Sequence, residues 1–86
     1  MTNSLIDKLE RAMTHGQVAK VAASAYIGVT RSTLHSWLAR ATPIRPRHTE
    51  AVIRFIHAVD AAVKTQELGD TRKPVRETLA ILRRVG

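Results

Sequence analysis

Lys20-Val-Ala-Ala-Ser-Ala-Tyr-Ile-Gly28-Val-Thr-Arg-Ser-Thr-Leu34-His-Ser-Trp37-Leu38 joins a run of small residues to a glycine and then to a second run with a polar head. The first run predicts a helix over about 18–26 with so little side-chain bulk that a neighbouring backbone can come close, and it reads as buried on most sides. Gly28 can supply the positive φ of a turn. Thr30 then stands as an N-cap, because its hydroxyl can accept from amides that the first turn of a helix leaves unpaired. Leu34, Trp37, Leu38 and Ala41 give that next helix its apolar face.

Outward from this pair, glycines and prolines divide the chain without interrupting any periodic run. Gly16, Gly28, Gly69 and Gly86 follow apolar segments, where a left-handed residue ends a helix, and Pro43, Pro46 and Pro74 fall before or between them. The first helix has Ser4 as a cap answered by Asp7, a stripe of Leu5, Leu9, Ala12 and Met13, and an end at His15-Gly16. A long helix over about 47–68 carries Val52, Phe55, Ile56, Val59 and Val63 at helical spacing. After the loop 69–73, Pro74 suits a first helical position, with Val75, Leu79, Leu82 and Val85 on one face of a helix over about 74–85. Only Tyr26, Trp37 and Phe55 are aromatic. A core of Ala, Val, Leu and Ile suits closely packed helices, so the expected fold is all-α, about five helices in one domain over 1–86, with a helix-turn-helix formed by the second and third.

The formal charge is +7 in 86 residues, and the sequence pI is near 11.2. Such a surface attracts polyanions: nucleic acid, an anionic membrane or an acidic protein. The chain has no cysteine, which excludes a disulfide framework, thiol catalysis and cysteine-bound zinc and suits a reducing compartment. No stretch approaches the roughly 20 apolar residues of a membrane span, and the N-terminus has no leader pattern, so the expected location is the bacterial cytoplasm or nucleoid. His57 and Asp60 can meet on one helix, but no nucleophile accompanies them. His15, His35, His48 and His57 have no metal-ligand spacing, and no glycine-rich phosphate loop occurs. Neither catalysis nor a cofactor or metal is expected.

The charge is uneven. From Arg31 to Arg54 there are five arginines against the single acid Glu50, while residues 1–30 carry a net charge of only +1. Outside the apolar stripe of the third helix, Thr30, Arg31, Ser32, Thr33, His35 and Ser36 are all hydrogen-bonding groups, with no acid among them to repel phosphate. That is the profile of a helix facing a nucleic-acid groove. RNA is disfavoured because stacking aromatics are nearly absent.

The stretch 20–38 resembles the helix-turn-helix of phage repressors of the Cro and cI type and of small plasmid-encoded regulators. Ala23 and Ser24 stand where the two helices cross, Ser24 in place of the alanine that is more usual there. Gly28 lies in the turn, and Ile27, Val29, Leu34 and Trp37 seal the angle from inside. Gln17 is similar to the glutamine that commonly opens the second helix but lies three residues early, which leaves the start of that helix open. The resemblance implies that Arg31, Ser32 and Ser36 reach base edges, with Thr33 and His35 close by. Arginine is suited to bidentate contact with guanine, so Arg31 is the first choice for a base reader, a phosphate clamp being its other role. Lys20, Thr30, Arg40, Arg45 and Arg47 are candidates for the DNA backbone.

Helix-turn-helix readers commonly bind as two copies. Val75, Leu79 and Leu82 are candidates for a homodimer interface, packing against the fourth helix being the alternative. The functional expectation is a homodimeric repressor bound to an inverted-repeat operator in double-stranded DNA, with a further regulatory protein as an additional partner. Competing readings are a protein-interaction module such as an antitoxin or regulatory subunit, and a nonspecific architectural DNA binder.

Overall fold

The computed structural model describes residues 4–85. These form five helices: α1 (Ser4–Gly16), α2 (Lys20–Ile27), α3 (Arg31–Leu38), α4 (Pro46–Lys64) and α5 (Val75–Val85). The all-α expectation holds, and α2 and α3 meet through the Gly28 turn as a helix-turn-helix. Met1, Thr2, Asn3 and Gly86 lie outside the described residues.

One core joins all five helices. α4 runs through its centre, with Val52, Phe55, Ala58, Val59 and Ala62 buried. The ring of Phe55 lies against Tyr26 of α2 at 5.7 Å. α1 lies along α4, while α5 packs on both α2 and α4. Leu34 and Trp37 close the core from the α3 side.

Several buried faces are rotated from the expected ones. In α1 the core positions are Ile6, Leu9, Met13 and Gly16. Leu5 and Ala12 pack only at the margin. In α5 they are Thr78, Ile81 and Leu82, with Val75, Leu79 and Val85 half-buried against them. α2 is less enclosed than its small residues suggest, for Lys20, Val21 and Ala25 are exposed. Ala41, expected on the apolar face of α3, is also exposed, because the helix stops at Leu38.

Helix ends depart furthest from the reading by glycines. Gly28 behaves as expected, with φ 92° and its amide donating to Ser24 O at 2.8 Å. Gly16 does not end α1 in a left-handed conformation. It belongs to the helix, and Gln17 takes the positive φ of 54°. α3 and α4 likewise end through Arg40 at φ 59° and Gln66 at φ 65°. In each case the amide of the left-handed residue and the one after it turn back onto the last turn of the helix, as Val18 N to Met13 O at 2.9 Å, Ala41 N to Ser36 O at 2.9 Å and Glu67 N to Ala62 O at 2.9 Å illustrate. α4 therefore stops before Leu68, which is nonetheless 3% exposed and part of the core.

Candidate nucleic-acid interface

α3 is fixed at its start by Thr30, whose hydroxyl oxygen accepts from Thr33 N at 3.1 Å. Thr30 Oγ1 also donates to Thr33 Oγ1 at 3.0 Å, so the two threonines satisfy each other. The cap was legible in the sequence, and it withdraws the half-buried Thr33 from the outward face. With Leu34 and Trp37 inward, about 3.6 residues per turn brings Ser32 to the opposite side, Arg31 and His35 to one flank and Ser36 to the other. Arg31, Ser32 and His35 are exposed, whereas Ser36 is half-buried.

His35 is tied to α2 by its Nδ1, 3.2 Å from Lys20 Nζ. An ammonium group only donates, so Nδ1 is the acceptor and the imidazole proton sits on Nε2. This contact places Lys20, the first residue of α2, on the His35 flank of α3. Gln17 is not part of this arrangement. It precedes α2 and donates from Nε2 to Gly69 O at 2.8 Å and to Asp70 O at 3.0 Å. Ser24 is 5% exposed at the crossing of the two helices, its hydroxyl donating to Val21 O at 3.0 Å.

A hollow beside α3 is lined by Thr30, Thr33, Trp37, Arg45, Arg47 and His48, so the two expected phosphate arginines meet Thr30 there. His48 leans on Trp37 with ring centroids 5.6 Å apart. Arg45 is the N-cap residue of α4 but its side chain makes no capping bond, and Pro46 opens the helix. Arg31, Arg45 and Arg47 are exposed and have no ion-pair partner among the described residues.

Arg40, a candidate for the DNA backbone, is paired with acids of α1. Its Nη2 donates to Asp7 at 2.5 Å and lies 3.4 Å from Glu10, both on α1. The hydrogen bond to Asp7, with Glu10 adding to it against some desolvation, raises the pKa of this guanidinium above its already high ordinary value. Two carboxylates thus hold the cation that was assigned to the DNA backbone. Among the interface candidates, Leu82 is 0% exposed and enclosed by the chain's own core. Val75 and Leu79 keep part of their surface in solvent.

The electrostatics of the helix starts follow the same geography. α1 has Asp7 and α5 has Glu77 in the first turn, where a carboxylate favours the positive end of the helix dipole. α2, α3 and α4 have no acid there. These three N-termini carry Lys20, Arg31 and Arg45 with Arg47; Lys20 meets His35 of α3, and Arg45 and Arg47 share a hollow with Thr30 at the start of α3. Each arrangement is unfavourable for an isolated helix and becomes favourable once an anion is present. Among the described residues no group of three or more His, Asp or Glu is placed to hold a metal ion. Asp60 pairs with Lys64 at 3.2 Å. No helix among the described residues is long and apolar enough to cross a membrane.

No protein-family model, curated protein or solved structure matches the chain.

Proposed function

We propose that this chain is a sequence-specific double-stranded-DNA-binding repressor of the Cro and cI kind, two copies of which occupy an inverted-repeat operator. The observation that carries the reading is the coincidence of three helix N-termini without acidic compensation around an exposed face of hydrogen-bonding side chains. Phosphates meet the N-termini and their cations, while Arg31, Ser32 and His35 on α3 meet base edges in the major groove. Thr30 serves chiefly as a cap, and Arg45 and Arg47 hold the backbone on the far side of the groove. Ser36 contributes from the margin. Occupancy of a promoter in this way excludes polymerase, which is repression without a cofactor or a catalytic step.

The decisive experiment is selection of bound sequences from a random duplex pool at physiological salt. Enrichment of an inverted repeat supports the reading. Binding that enriches nothing and fades as salt rises replaces it with an architectural role, and no DNA binding replaces it with a protein-interaction role. On the enriched duplex, Arg31→Ala is expected to cost about 1–3 kcal/mol and relax preference at one base pair, whereas Arg45→Ala weakens all sequences alike. Equal losses on specific and random DNA for both variants would overturn this division of labour.

A further inference from the structure

The loop between α4 and α5 is held by a side chain from the connection between α1 and α2. Gln17 Nε2 donates to two successive carbonyls, those of Gly69 and Asp70, at 2.8 and 3.0 Å. Both ends of this strap use left-handed backbone, Gln17 at φ 54° and Gly69 at φ 109°. The strap sorts the loop's charges. Asp70 lies with His15, Gln17 and Val63 on one side. Arg72, two residues later, lines a different hollow, whose other walls include Lys20, Val21 and Leu38.

This second hollow has an unbalanced charge. Arg72 is exposed and, among the described residues, has no carboxylate at ion-pairing distance. Lys20 makes its polar contact with His35. Glu10, the acid that borders the hollow, is engaged by Arg40. Two cations from distant parts of the chain therefore share a hollow with a single carboxylate that is itself 3.4 Å from Arg40, and Lys20 already belongs to the face proposed to meet DNA.

We propose that Arg72 is a DNA-backbone contact, set beside Lys20 by Gln17, so that the footprint extends outward from the reading helix to a phosphate flanking each half-site. Arg72 touches the phosphate and Gln17 is a positioning residue. This rests on the DNA-binding reading above and adds to it a contact that carries no sequence information.

The test measures affinity across a salt series on two duplexes, the one enriched from the pool and one of random sequence. Arg72→Gln is expected to weaken both about three- to tenfold and to reduce the slope of log affinity against log salt by about one unit, as loss of a single phosphate contact requires. Arg72→Lys restores the slope. Gln17→Asn, which suits left-handed backbone but is a methylene shorter, reproduces the slope change without altering the preferred sequence. Arg11→Gln removes the same charge from the α1–α4 groove, where Arg11 lies with Ile56 and His57, and leaves the slope unchanged. A wild-type slope in Arg72→Gln, or an equal change in Arg11→Gln, overturns the Arg72 contact while the DNA reading stands. Wild-type protein that binds neither duplex overturns both.

Discussion

Gly16 of α1 lies directly against Val59 of α4. A Cβ built there would lie 2.7 Å from Val59 Cγ1 and 3.3 Å from Val18 Cγ2. Gly16→Ala is therefore expected to destabilise the protein by about 1–2 kcal/mol, over-packing outweighing the better helix propensity of alanine. In a Val59→Ala background the nearer clash is gone, and the same substitution becomes neutral or slightly stabilising. Urea unfolding of the four proteins of this double-mutant cycle measures the coupling. Simple additivity would show that the helices have room to separate. Sequence reading placed Gly16 correctly at the end of α1 but gave it the wrong task, because a glycine needed for its missing side chain and one needed for its positive φ look alike in a sequence. The ion pairs of Arg40 were not legible for a related reason. Asp7 and Glu10 precede it by 33 and 30 residues, with the helix-turn-helix between, and nothing local announces their approach.

The legible elements are those whose signals are local. Gly28 ends α2, Thr30 caps α3, and Pro74 O accepts from Thr78 N at 2.9 Å as α5 begins. The ends of α1, α3 and α4 were misplaced or misattributed because Gln17, Arg40 and Gln66 adopt backbone that their residue types disfavour, a choice made by tertiary packing. The candidate site was legible as a stretch, through the polar head of α3. The binding of Lys20 to His35 required the neighbouring element. The start of α4 tests what its charges are for. Arg47→Glu places an acid in the first turn of α4 and is expected to stabilise the fold by about 0.3–1 kcal/mol. Thermal unfolding should then shift upward by about 2–6 °C. The same substitution should lower DNA affinity more than about tenfold, since a phosphate contact becomes a repulsion. Opposite movements of stability and affinity identify a helix start adapted to an anion; a fall in both would make Arg47 a structural residue.

At the scale of the whole molecule the question is how two copies come to lie on one duplex. The described residues span 31 × 22 × 20 Å. Successive major-groove faces are about 34–36 Å apart. Copies in contact must therefore place their α3 helices away from the shared axis, and α5 meets that requirement because it packs on α2 and α4. The apolar face of α5 is nevertheless largely spent inside the chain. Leu82 is enclosed, Val75 and Leu79 are half-buried, and Arg76, Glu77 and Arg83 are exposed. The exposed large hydrophobic residues among those described are Val21 and Ile53, each 40% exposed and on different helices. A stable dimer buries about 800 Å² on each partner around an apolar centre, and Val21 and Ile53, on separate helices, do not supply one. Two copies are accordingly expected to be monomeric in free solution at micromolar concentration and to pair only on DNA, where adjacent half-sites raise their local concentration. Sedimentation velocity of the protein alone, and then with a duplex carrying the enriched repeat, should show a single 9.5 kDa species give way to a two-protein complex. Leu79→Asp should abolish the cooperativity of that second step while leaving binding to an isolated half-site within about threefold, because half-buried Leu79 lies on α5, outside the face proposed to meet DNA. A dimer that persists without DNA would mean that the half-exposed edge of α5 suffices for association, and the operator would then select a preformed pair.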